Sequence, residues 1–338
     1  MKHRPTRLLR PLAALSIGLT VTCVGAGAQN WTDRPDGLAP VGVKVGGEKE
    51  SGAWSFSYQY TRTDGSGLLD GRGQVTSEDV FADDYDASPL RMVRETHWIN
   101  ALYGYDETTS LLFTLPWLNN EIRMQSSGGE NYDMRTTGMG DLTITGLFGL
   151  KHEEDEALHA QLGLSLPTGS RDERGVTPFS GGISEKLPYS LQLSSGTLDL
   201  IPGITYVRRL EATSVGIQAQ EIVRLTENSD GYQLGNETLL NAWVSRVFKE
   251  DLSGSLRLGY HHQESLSGQD ADIDASQSPL HDPNSQGGDR VSVWAGINYT
   301  QTGGHSFGFE LGGPLWQDLN GPQLEHDLSY ALGWHYSF

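Results

Sequence analysis

Leu328-Ser329-Tyr330-Ala331-Leu332-Gly333-Trp334-His335-Tyr336-Ser337-Phe338 closes the chain, with a large apolar residue at every second position. Ser329, Ala331, Gly333, His335 and Ser337, between them, are small or polar. Successive side chains of a strand point to opposite faces, so one face here is aromatic and greasy while the other tolerates water. A soluble sheet can carry the same alternation, but it rarely ends on an aromatic carboxy-terminus. The fold therefore depends on whether the rest of the chain repeats the pattern.

The amino-terminus implies export. Lys2, Arg4, Arg7 and Arg10 precede an apolar stretch from Pro11 to Val24, and Ala26-Gly27-Ala28 follows. This is the layout of a signal peptide spanning residues 1–28, cleaved after Ala28. The apolar run is too short to span a bilayer comfortably. Cleavage would remove Cys23, the single cysteine, so disulfides and thiol chemistry are not expected.

Composition narrows the class. No window beyond residue 28 approaches about 18 consecutive apolar residues, so no transmembrane helix is available. Only a closed sheet could cross a bilayer with this sequence, because every backbone polar group needs a partner there. The leader carries four of the 24 basic residues and none of the 43 acidic ones, leaving a net charge of −23. So acidic a chain is a poor partner for nucleic acid.

Period-two alternation predicts twelve strands between residue 51 and the carboxy-terminus. Trp54, Phe56, Tyr58 and Tyr60 mark the first, and Leu111, Phe113, Leu115 and Trp117 the third. The stretch 92–104 is ambiguous in register, with Trp98 and Leu102 opposing Ile99, Ala101 and Tyr103. Long polar gaps near 63–90, 119–138, 167–193, 226–234, 264–288 and 316–325 alternate with short ones near 105–109, 151–156, 208–213, 249–253 and 301–304. Such segregation of loop length predicts an all-β, antiparallel transmembrane barrel with long extracellular loops and short periplasmic turns. Residues 51–338 form that barrel in this reading. Residues 29–50 form a periplasmic leader or a short plug entering the lumen, a loosely ordered tether being the simpler expectation.

Several segments carry a resemblance. The carboxy-terminal alternation ending in Tyr336 and Phe338 resembles the closing-strand signal of bacterial outer-membrane barrels, in which a terminal Phe is recognised for assembly. Thr114-Leu115-Pro116-Trp117, Gly138-Met139-Gly140-Asp141-Leu142, Gly163-Leu164-Ser165-Leu166-Pro167-Thr168-Gly169 and Gln317-Asp318-Leu319-Asn320-Gly321-Pro322-Gln323-Leu324 resemble barrels labelled as transporters or as proteins of a MetA pathway of phenol degradation. The similarity runs from about residue 36 onward. It implies location in the outer membrane of a Gram-negative cell and passage of small solutes, aromatic or cationic compounds among them. The expected partners are outer-membrane lipid, lipopolysaccharide, the barrel-assembly machinery and the solutes themselves.

Candidate functional residues come from the lumen-facing positions. Asp141-Leu142, Asp199-Leu200 and Asp327-Leu328 each set a carboxylate inward and a leucine outward near the mouth. Asp289 sits similarly, with a register turning it toward the outer rim. Arg94, Arg224, Arg257, Arg290 and Glu310 are predicted to face the same interior. Two readings stay open. The acids could favour cations, as rings of like charge do in pores, or acids and bases could pair and fill the lumen. The acidic loops, including Asp270, Asp272 and Asp274, are expected to be a solvated face without a fixed metal. Ala275 and His281 occupy positions where a calcium loop needs a glycine and a glutamate. No cofactor and no enzyme activity are expected. His305 is the only histidine that alternation turns outward, no Ser-x-x-His pairing stands out, and His326 and Asp327 fall on opposite faces of a strand. A non-conducting barrel with a structural or surface role is the alternative, and an outer-membrane hydrolase a more remote one.

Overall fold

The computed structural model describes residues 34–43 and 50–338. The expected leader peptide and its cleavage site lie outside these residues. Among the described residues, eleven strand elements close into one antiparallel ring. They are β1 (Trp54–Gly71), β2 (Ala87–Gly104), β3 (Thr109–Ser126), β4 (Leu142–His152), β5 (Glu156–Leu166), β6 (Asp199–Leu210), β7 (Thr213–Arg224), β8 (Glu237–Lys249), β9 (Leu252–Gln263), β10 (Gly288–Gln301) and β11 (His305–Ser337). Each pairs with its chain neighbours, and β11 pairs back onto β1 from Ser55↔Ser337 to Gly71↔Leu319. The 33-residue β11 is two staves in one element. Its first arm rises along β10 to Leu319 and its second descends along β1, with Gly321 at φ +79° in the turn between them. The wall therefore has twelve passes, as the alternation predicts.

Burial is inverted relative to a soluble protein. Ser55, Thr96, Ser110, Asn120, Thr145, Gln161, Thr205, Gln218, Ser245, Ser253, Asn298 and Glu310 are buried toward the lumen. Ile99, Phe113, Leu162, Leu164, Ile204, Ile217, Leu256, Leu258, Ile297, Phe307 and Leu332 are exposed on the outside. An apolar band outside a polar interior is the distribution a barrel needs in hydrocarbon. At the short-turn end the band finishes in aromatics: Trp54 meets Tyr103, and Phe56 and Tyr336 stack on Phe338. The ambiguous register of β2 resolves with Ile99 outward and Trp98 inward, its indole donating to Thr61 Oγ1 at 3.4 Å.

Two expected loops are instead strand. β3 continues to Ser126 and pairs with Asn131–Met139, the outer extension of β4, across the whole expected gap 119–138. The gap at 316–325 is consumed by the arms of β11. β1, β2 and β3 have 18 residues each. At about 3.3 Å per residue they are roughly 60 Å long, well beyond a bilayer's demand. Alternation cannot reveal such extensions, because outside hydrocarbon neither face has to be apolar.

The remaining long-loop segments pack inward. Leu187 and Leu191 from residues 167–198, Leu280 from residues 264–287 and Val80 from the short helix α1 (Ser77–Ala82) join Met92, Ile122, Met124, Met134 and Leu324 in a buried cluster within the outer end of the barrel. A second cluster joins Tyr189, Tyr232, Leu266 and Ile273. These loops have a hydrophobic core of their own, which holds them over the mouth.

Candidate functional site in the lumen

The short-turn end of the lumen is occupied by residues 34–43. Ser214 Oγ donates to Asp36 O at 2.7 Å, and Ser253 Oγ to Pro35 O at 2.8 Å. Asn298 Nδ2 donates to Leu38 O at 3.5 Å. Arg34 and Asp36 pair at 2.8 Å within this segment. Gly42 N donates to Glu310 Oε2 at 2.5 Å, and Val43 packs on Val207 and Trp243. Serines on the strands thus satisfy backbone carbonyls of a segment with no ladder of its own.

Glu310 is held from the other side. Arg257 reaches it through Nε at 3.1 Å and Nη2 at 3.2 Å, donates to Asn241 Oδ1 at 2.9 Å, and lies 3.8 Å over the Trp294 ring. The strands make room with glycine: Trp243 lies flat on Gly216 and Trp294 on Gly259, where a Cβ would meet each indole at under 3 Å.

Farther out, Arg224 bridges Asp199 at 2.5 Å and Glu237 at 2.7 Å, and Glu237 also meets His261 at 3.1 Å. Asp199 is 1% exposed and accepts further bonds from Thr197 and Ser195. Asp141, at the break between β4 and its extension, accepts from Gly169 N, Ser194 Oγ, Ser195 N and Ser195 Oγ at 2.6–3.1 Å. Both acids fasten the loop of residues 167–198 to the wall. Asp230, Asp270 and Asp272 of other loops are similarly engaged. Lys186 lies between Asp270 at 2.5 Å and Asp230 at 2.9 Å, and Arg174 reaches Asp272 at 2.9 Å. Burial works against the charge of Lys186, yet its bonds to Asp270 and Asp230 raise its proton affinity. A Ser-x-x-His pair, Ser278 Oγ with His281 Nδ1 at 2.7 Å, is present after all, buried inside residues 264–287. Burial pushes that imidazole down to about 4, the Asp274 charge acting against the shift.

Asp327 requires a correction. Strict alternation sets it inward, but β11 carries a bulge: Thr63 pairs with Ser329 and Gly65 with His326, so two residues oppose one. Gln317 fills the interrupted ladder, donating from Nε2 to His326 O at 3.1 Å and accepting from His326 N at 3.0 Å. Beyond the bulge His326 takes the inward place, and Asp327 turns outward to accept from Ser66 Oγ at 2.7 Å. Asp289 also faces outward, bonding Tyr260 at 2.6 Å and His262 at 2.9 Å. His305 is not the only outward histidine, because His97 meets Tyr58 there at 2.6 Å. His261, His326 and Glu237, absent from the sequence-level candidates, belong to the lumen. Alternation along β9 already turns His261 inward opposite Tyr260, whereas the bulge that turns His326 inward is visible only in the observed register.

A twelve-pass barrel with an apolar belt, a polar lumen and covered ends is an outer-membrane β-barrel fold. Residues 85–313, about two thirds of the chain, match the model of the family described as putative MetA-pathway of phenol degradation, and the chain belongs to that family. Its fold is similar to that of an outer-membrane channel from Pseudomonas putida, at 15% identity and a TM-score of 0.60, over 86% of this chain and 97% of that one. A fainter likeness joins it to the transport unit of the autotransporter AIDA-I from Escherichia coli (12% identity, TM-score 0.48, 85% and 90% of the two chains) and to the KdgM porin (9%, 0.42, 84% and 99%). No curated protein sequence matches the chain.

Proposed function

We propose that this protein is an outer-membrane channel for passive passage of small solutes, closed in the described conformation by residues 34–43 at the periplasmic end and by the loops of residues 167–198 and 264–287 at the outer end. The observation that carries the reading is the lumen itself. A barrel of this circumference surrounds a polar, charge-lined interior whose inner cover is attached by a few hydrogen bonds rather than built into the wall. Lipopolysaccharide and lipid would contact the apolar belt, and the Tyr336 to Phe338 edge would present the assembly signal. In this reading Asp141 and Asp199 anchor a loop and do not select cations, since their oxygens are occupied by serines, backbone amides and Arg224.

The covering of both ends favours one other reading, a non-conducting barrel with a surface role. Planar-bilayer recording of the pure, folded full chain separates them. Discrete current steps are expected, and their complete absence would refute the channel.

A further inference from the structure

We propose that Arg94 and Arg290, with Ser190 beside them, form a binding site in the outer third of the lumen for the oxyanion of a small solute, a carboxylate or a phosphate. The site deepens the channel reading, from which it takes its route of access.

The register brings these groups together. Arg290 on β10 pairs with Gln317 on the rising arm of β11, whose side chain grips the backbone of His326 on the descending arm. Across β1, His326 pairs with Gly65 and Arg94 with Thr63, and Arg94 in turn pairs with Asn120 on β3. One level of the lumen therefore collects two guanidinium groups and His326. The charges of Arg94 and Arg290 act on each other and on the His326 ring. Ser190 hangs over this level from the loop above and receives Arg94 Nη2 on its carbonyl at 3.3 Å.

Among the described residues these two arginines differ from the other lumen arginines. Arg224 contacts two carboxylates, and Arg257 holds both oxygens of one. Arg94 has that single neutral carbonyl. Arg290 has no hydrogen-bond partner, and its Nε is buried. Ser190 Oγ, which can donate, is buried without a partner as well. Glu237, the acid whose charge reaches both arginines, is already bound by Arg224 and His261. Two like charges near each other whose neighbouring acids are bound elsewhere are unfavourable, as are buried donors left unmade. An oxyanion between them relieves both costs, and the planar guanidinium fork matches its paired oxygens. A chain of net charge −19 that keeps two inward arginines free of acids, while its neighbouring acids are engaged, presents a local positive site.

The test is binding to detergent-solubilised full-length protein, by isothermal titration and thermal unfolding, with sodium acetate, sodium benzoate and sodium phosphate against sodium chloride at equal ionic strength. One of the oxyanions should bind wild type at one site and raise its melting temperature above the chloride control. Acetate or benzoate binding assigns a carboxylate, phosphate binding a phosphate. R94Q and R290Q should each weaken that binding by about tenfold or more, while R123Q on the outer face leaves it unchanged. R290K, which keeps the charge and loses the fork, should fall between wild type and R290Q, so a poorly folding glutamine variant does not leave the question open. No binding beyond chloride in wild type, or binding retained within about twofold in folded R94Q and R290Q, overturns the site. Binding without any bilayer current would refute the channel alone, and current without binding would refute the site alone.

Discussion

Replacing Glu310 by alanine should both weaken the barrel and loosen its inner cover. Glu310 is 1% exposed and joins three things: the Arg257 guanidinium, the Gly42 amide and, through Arg257, the Trp294 ring. Removing one member of a buried ion pair costs about 3–5 kcal/mol, because the remaining charge keeps its desolvation penalty. The Gly42 bond to a carboxylate is worth about 1.5–3 kcal/mol. Its loss should raise the population with residues 34–43 displaced by about 10- to 100-fold, at 1.4 kcal/mol per decade. The double variant R257M/E310L removes the same bond to Gly42 but leaves no orphaned charge, so its stability should lie near wild type. Single-channel recording should then show raised open probability in both variants, while thermal unfolding in detergent shows a large loss only for E310A. Should both variants gate like wild type while a chain lacking residues 34–43 conducts freely, the clasp argument is wrong and the cover is held by something else.

Three further outcomes are expected. The His281 imidazole takes up a proton near pH 4 in the folded loop against an ordinary value of 6.5. Its contribution is therefore complete above pH 6.5 and lost as pH falls toward 4, by up to about 3 kcal/mol. Limited proteolysis of residues 264–287 should accelerate across that window in wild type but not in H281N. D141A removes the acceptor for four donors from the loop of residues 167–198 and should speed hydrogen exchange at the Gly169 and Ser195 amides without changing the barrel's circular dichroism. Deletion of Phe338 removes its stacking on Phe56 and Tyr336, and should lower the yield of heat-modifiable, folded barrel in cells while leaving precursor synthesis unchanged.

The wall was legible because hydrocarbon enforces a rule at every second residue. Leu162, Leu164, Ile217, Leu256, Leu258 and Ile297 are outside, and their neighbours inside, because each strand is short and one face must be apolar. The same rule fails where the constraint lapses. Above the belt, β3 and its partner run on through residues 119–138 with mixed faces, and the chain there resembles loop. At His326 and Asp327, one extra residue opposite β1 exchanges the inward and outward positions, a shift that composition does not announce.

Sequence alone therefore determined the barrel, its number of passes and which side of most strands meets lipid, since those follow from local alternation and loop length. The tertiary structure decided what the lumen contains. Whether an inward acid selects ions or anchors a loop depends on which strands stand beside it, and pairs such as Gly42 with Glu310 lie 268 residues apart. Long-range partners of this kind are set by register and closure, and no periodicity within a single strand encodes them.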